Sequence, residues 1–214
     1  MSHSLNEVEA TAKRAARGAG FCWGLAEEAG KAARWLCANG QDGCGVLARL
    51  LDDLDGEPLS ALSPMSLDGE WTSPSGRLCP LMAGVTLSDC ASRLDEGDII
   101  MSGVMHPALI LPFSASAAQQ RKGDVTVSWD GLSAVTNSSG MRLVEAASAF
   151  TAVAAARVRV RSGGTVDPLT PHATRATPDA EHWATLNRFA HRTYAPASEA
   201  SRLLGAGAGL SDND

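Results

Sequence analysis

The sequence has little aromatic material: a single tyrosine among 214 residues, and 5% Phe, Trp and Tyr together. Its core must therefore rest mostly on aliphatic side chains and alanine. Basic residues are also short, with 18 Lys and Arg against 24 Asp and Glu and a net charge of -6. A nucleic-acid surface usually carries a basic excess, so no nucleic-acid partner is expected. No apolar run approaches the roughly 20 residues that span a bilayer, so no membrane association is expected either. The N-terminus lacks the apolar stretch of a secretory leader, and a cytoplasmic location is the expectation. Five cysteines are present, Cys22, Cys37, Cys44, Cys79 and Cys90, without any Cys-x-x-Cys spacing. That odd number and those spacings argue against a disulfide framework or a zinc site and for free, reduced thiols. His-Glu-x-x-His and Gly-x-Ser-x-Gly are both missing, which removes the usual marks of a zinc or serine hydrolase. Gly205, Gly207 and Gly209 alternate, but they follow a helical pattern, whereas a dinucleotide loop follows a strand. Neither a cofactor nor a metal is expected.

Apolar residues at 44% and charged residues at 20% are a globular mix, and the length suits one compact unit. Ser4 and Glu7 make a capping box for a first helix, whose stripe of Leu5, Val8, Ala12 and Ala15 ends at Gly18 and Gly20. A second helix is expected from about Gly24 to Ala38, closed by Asn39-Gly40, and a third capped by Asp42 and stopped by Gly56. The Ala- and Gly-rich faces of these helices permit close approach. Residues 57–80 carry four prolines and lose the helical period, the mark of an arm or lid anchored by Trp71. Ala108–Phe113 reads as a buried strand, and 124–129 with 132–137 flank Asp130-Gly131, the strongest hairpin signal. Residues 156–161 alternate arginine with small or apolar side chains, as a half-buried strand does. Thr177 and Pro178 are expected to open a C-terminal helix, with a shorter helix from Ala197 to Leu204.

The fold class is therefore α+β. It comprises an N-terminal three-helix lobe (1–56), the arm (57–80), a β-rich core with a mainly antiparallel sheet (81–165), and C-terminal helices with a glycine-rich tail (177–214).

Glu27 and Glu28 open the second helix, beside glycines 18, 20 and 24. One reading is dipole stabilisation of the helix start; the other is a general base in a pocket. Arg157, Arg159 and Arg161 share one strand face, either a solvated edge or a cradle for an anion. Near the C-terminus, Tyr194, Glu199 and Arg202 precede the tail GAGAGLSDND. A frayed tail and a docked tail are both open. The docked tail places Gly207, Asp212, Asn213 and Asp214 at the pocket of Glu27 and Glu28. The catalytic candidates are then Glu27, Glu28 and Tyr194, with Glu199, Arg202, Gly207, Asp212, Asn213 and Asp214 binding substrate. So many carboxylates converge only around a cation, a protonated carboxyl or an arginine.

The stretches 4–36 (SLNEVEATAKRAARGAGFCWGLAEEAGKAARWL) and 193–214 (TYAPASEASRLLGAGAGLSDND) resemble a bacterial family known as domain of unknown function 3726. The resemblance implies a proteobacterial stand-alone protein. It brings no established activity, cofactor or catalytic residue. Three functions follow as expectations: a small-molecule enzyme of a catabolic pathway using carboxylate acid-base chemistry, a non-catalytic or ligand-binding subunit of a partner enzyme, and a structural homo-oligomer.

Overall fold

The computed structural model describes residues 1–145, 150–166 and 172–194. Three helices come first: α1 (Leu5–Gly18), α2 (Trp23–Ala38) and α3 (Gly43–Asp53). Ser4 caps α1 by accepting the Glu7 amide at 3.2 Å, whereas the Glu7 carboxylate turns to His3 rather than back to the cap. Asp42 caps α3 through the Gly45 amide at 2.8 Å. α1 and α2 meet over alanines: Ala12, Ala15, Ala16, Ala26, Ala29 and Ala33 are all fully buried. Small side chains let the helix axes come close, as their composition suggested.

Residues 57–80 hold a short 3-10 turn (Leu59–Leu62) and β2 (Glu70–Trp71). Trp71 is buried, and its indole N–H donates to the Leu67 carbonyl at 3.2 Å. There follow α4 (Pro80–Asp89), β3 (Ile99–Met105), α5 (Ile110–Arg121), β4 (Val125–Trp129), β5 (Leu132–Asn137), β6 (Gly140–Glu145) and β7 (Ala154–Ser162). The sheet order is β2-β3-β7-β4-β5-β6, parallel at β2–β3 and antiparallel elsewhere. α5 packs on β4 and β5, and α4 packs on α5. Asp130 and Gly131 both take positive φ, 41° and 81°, the backbone of a type I′ hairpin, as their residue types require.

Two local expectations are corrected. Ala108–Phe113 is helical, a 3-10 turn (Pro107–Leu109) running into α5. An apolar run of strand length does not fix its own period. Here Ser114, Ala115, Ala117 and Ala118 extend the buried set to helix length. Pro112 falls in the first turn of α5, where its missing N–H costs no intrahelical bond. The arginine strand is not an edge: β7 lies between β3 and β4, with Arg157, Arg159 and Arg161 on its outer, exposed side.

The C-terminal described part holds β8 (Arg175–Ala176), paired antiparallel with β1 (His3–Ser4), and α6 (Ala180–His191). Asp179, rather than Thr177, caps α6 through the Glu181 amide at 2.8 Å, and Pro178 precedes the cap. α6 packs back on α1 and α3 through Leu186, Phe189 and Ala190. The expected helix 197–204 and the glycine-rich tail lie outside the described residues.

Candidate functional site at the turn between the second and third helices

α2 ends at Ala38, and the chain turns at Asn39-Gly40, with Gly40 at φ 73°. The turn is fixed from several sides. The buried Asn39 side chain donates to the Trp35 carbonyl at 2.9 Å and accepts the Met141 amide at 3.2 Å. α3 then starts against the last turn of α2. A Cβ on Gly43 would stand 2.3 Å from the Ala33 carbonyl oxygen, so only glycine fits. This close approach sets Cys44, in the first turn of α3, against Cys37, in the last turn of α2. Their sulfurs are 3.9 Å apart.

The segment before α6 closes the other side. The Ala173 amide donates to the Ala38 carbonyl at 2.7 Å, and Arg175 is held by the Ser2 hydroxyl and carbonyl, both at 2.8 Å. Between these walls lies a cleft of about 400 Å³, lined among others by Cys37, Gln41, Asp42, Arg175, Thr177 and Asp179. Behind Asp42 stands His182. Arg49 Nη1 lies 3.1 Å from His182 Nε2, and a guanidinium only donates, so Nε2 accepts. The imidazole proton therefore belongs on Nδ1, which lies 3.4 Å from Asp42 Oδ2 without hydrogen-bond geometry. The contact with Cys44 and the Gly43 and Cys44 amides draw the Cys37 thiol below the usual range; the same contact and burial push the Cys44 thiol well above it. A thiol, two carboxylates and a guanidinium thus meet at one opening. They can bind a polar molecule and exchange protons with it.

Of the residues singled out in the sequence, Glu27, Glu28 and Tyr194 are described, and they stand elsewhere. Glu27 bridges Lys13 at 3.3 Å and Lys31 at 3.2 Å, and its carboxyl is held below the ordinary range, chiefly by Lys31. Glu28 binds Lys31 at 2.8 Å and lines a second groove of about 320 Å³ with Trp35, Pro112 and Phe113. Tyr194 is exposed, its ring edge-on to His191. Glu199, Arg202, Gly207, Asp212, Asn213 and Asp214 lie outside the described residues. Gly18 is no free backbone wall, because the Phe189 carbonyl of α6 lies against it. Among the described residues, no group of three or more His, Cys, Asp or Glu side chains is placed to hold a metal ion. No helix among them is long and apolar enough to cross a membrane.

Sequence reasoning passed over Cys37, Cys44 and His182. A signal for the first two was present: a cysteine in the last turn before Asn-Gly and another just after an N-cap aspartate face each other across a helical hairpin. His182 had none, since its partners Asp42 and Arg49 are far away in sequence.

A second histidine is placed unusually. His106, at the end of β3, has left-handed φ (40°) and is almost wholly buried. Its Nε2 donates to Asp53 Oδ2 at 2.8 Å, and its Nδ1 has no hydrogen-bond partner among the described residues. Burial lowers its pKa, against the pull of Asp53.

Comparison with known proteins finds the same family over the N-terminal part of the chain. Residues 3–79 match the model of that family, described as a protein of unknown function (DUF3726). No curated protein matches. Among solved structures, the malate dehydrogenase of Pyrococcus horikoshii OT3 is similar over 69% of this chain, with 9% identity and a TM-score of 0.47. The match spans 50% of that enzyme's chain.

Proposed function

We propose that this chain is a small-molecule enzyme of a bacterial cytosol whose substrate binds in the cleft at the α2–α3 turn. Asp42 is its acid-base group. One observation carries the reading: segments far apart in sequence, the α2–α3 turn and residues 173–179, bring Asp42, Asp179 and Arg175 to one cavity. One Asp42 oxygen is taken by the cap of α3, while the other faces the His182 side at the cleft. That second oxygen takes a proton from a bound hydroxyl or amine. Two carboxylates against one guanidinium favour a substrate that carries an amino group.

The test is a thermal-shift and calorimetric screen of amino-bearing and hydroxy-bearing metabolites against the parent, Asp42→Asn and Asp179→Asn. Asparagine caps helices about as well as aspartate, so both variants keep their helix starts. A ligand that binds the parent and loses at least tenfold affinity in Asp42→Asn supports the reading. Ligands that bind all three proteins alike overturn it. The alternative, an accessory subunit that docks an acidic partner, draws support from Arg161 on the outer face of the sheet, beside Arg157 and Arg159, which pair with Glu70 and Asp98. Arg161→Ser would abolish such docking and leave the cleft ligand bound.

A further inference from the structure

The five cysteines are free thiols, and their surroundings differ sharply. Cys79 is fully buried, and burial pushes its thiol up to about 11, which leaves it inert. Cys22 is exposed and Cys90 partly so. Cys37 and Cys44 alone form a thiol pair among the described residues. The pair is asymmetric in access: Cys37 lines the cleft at 5% exposure, and Cys44 lies behind it at 0%.

That asymmetry separates an attacking sulfur from a resolving one. Cys37 faces the opening, 3.9 Å from the Cys44 sulfur, and the first amides of α3 point at it, an arrangement that favours its thiolate. Cys44 lies behind Cys37, within reach of the same sulfur. The α2–α3 turn holds both in place. The turn is tied by Asn39, and Gly43 leaves no room for the helices to slide.

We propose that Cys37 and Cys44 form a redox-active dithiol that a hydroperoxide entering the cleft oxidises to a disulfide. The Cys37 thiolate attacks the terminal peroxide oxygen. An S–O bond forms, the O–O bond breaks, and the alkoxide or hydroxide that leaves takes a proton from water. Cys37 is then a sulfenic acid, oxidised by two electrons, and the peroxide is reduced by the same two. The Cys44 sulfur next attacks Cys37. An S–S bond forms, the S–O bond breaks, and the hydroxyl leaves with the Cys44 proton as water. The sulfurs close from 3.9 Å to about 2.05 Å. A small external dithiol returns the pair to its reduced form.

Both cysteines fall in one tryptic peptide, Trp35–Arg49, so the disulfide registers there as the loss of two hydrogens. Reduced full-length protein is treated under native conditions with one equivalent of hydrogen peroxide, quenched with an alkylating reagent in denaturant, and mapped by mass spectrometry. The expected result is that mass loss, reversed by dithiothreitol, with Cys79 still alkylated. In Cys44→Ala the sulfenic acid on Cys37 has no resolving thiol and is trapped by dimedone. In Cys37→Ser neither product forms at position 44. Circular dichroism and the melting temperature of each variant confirm that it is folded. Oxidation of Cys22 or Cys90 while Cys37 and Cys44 remain alkylatable overturns the proposal. So does a disulfide joining either sulfur to another cysteine, or dimedone labelling of Cys44 in place of Cys37.

Discussion

The helix lobe makes a sharp prediction, because one substitution has opposite signs at two neighbouring glycines. A Cβ on Gly18 would lie 1.9 Å from the Phe189 carbonyl oxygen and 2.8 Å from its carbon. Ordinary contact begins near 3.4 Å. Gly18→Ala must therefore push α1 and α6 apart by about 1.5 Å, the difference between those two figures. The obstacle is backbone, which cannot rotate away. Alanine gains about 1 kcal/mol over glycine within a helix, while overpacking costs about 1–3 kcal/mol and sometimes more. A separation this large in a backbone contact belongs at the upper end, so destabilisation wins by about 2 kcal/mol. At about 2–4 °C per kcal/mol for a chain of this size, the melting temperature falls by roughly 4–8 °C. Gly24, in the first turn of α2, has nothing within 4 Å of its would-be Cβ. Gly24→Ala keeps the propensity gain, reduced near the helix end, and the melting temperature rises by about 1–3 °C. Differential scanning fluorimetry of the two variants beside the parent is the assay. A Gly18→Ala melting temperature at or above the parent's would refute the packing of α6 on α1.

Acidification probes His106. Its folded pKa lies below the ordinary histidine value of 6.5, so below that pH the unfolded chain takes up the proton more readily and stability falls. Urea melts from about pH 8 to about pH 5 should show that loss in the parent and a flatter profile in His106→Asn, whose residue tolerates left-handed φ; equal slopes remove the argument. Limited proteolysis of the native protein addresses the proposal that residues 57–80 form an arm or lid. Its first cuts should fall in the exposed stretch 68–70 or at 74–77, with Trp71 retained in the core fragment, and a first cut inside 125–137 would contradict it.

Much of the frame was legible because local chemistry determined it. Ser4 and Asp42 have short side chains that accept amides three residues on, and each marks a helix start ahead of an apolar stripe. Asp130-Gly131 demands two left-handed residues and delivers a two-residue hairpin. What failed was legible only in three dimensions. Ala108–Phe113 is equally apolar as helix or strand, and tertiary packing on β4 and β5 chose between them. β7 looks like an edge strand because arginines alternate along it, yet a sheet covered on one face exposes the other at its centre too. The site followed the same division. Glu27 and Glu28 stood out because they are adjacent, but helix geometry turns both to one lysine a turn away, Lys31. Cys37, Asp42 and Arg175 meet only after α2 has turned at Asn39 and residues 173–179 have crossed its end.

The contrast between Glu27 and Asp42 explains why the α2–α3 turn is the stronger candidate. Both are exposed carboxylates near a helix start. Glu27 is committed on both oxygens, to Lys31 through Oε1 and to Lys13 through Oε2, and its charge is already balanced. A substrate there would have to displace a lysine before it gained anything. Asp42 is committed on one oxygen, to an amide of α3, and the other has only the Nδ1 side of His182 near it, too far for a full bond. Its remaining valence faces a cleft rather than open solvent, and a ligand amine or hydroxyl can complete it without breaking an existing contact. The same argument applies to the sulfurs. Cys79 is enclosed by the core, while Cys37 has one side on the cleft and one on Cys44. Groups whose bonding is incomplete at an opening are where binding free energy is available, and in this fold several of them gather where α2 hands over to α3.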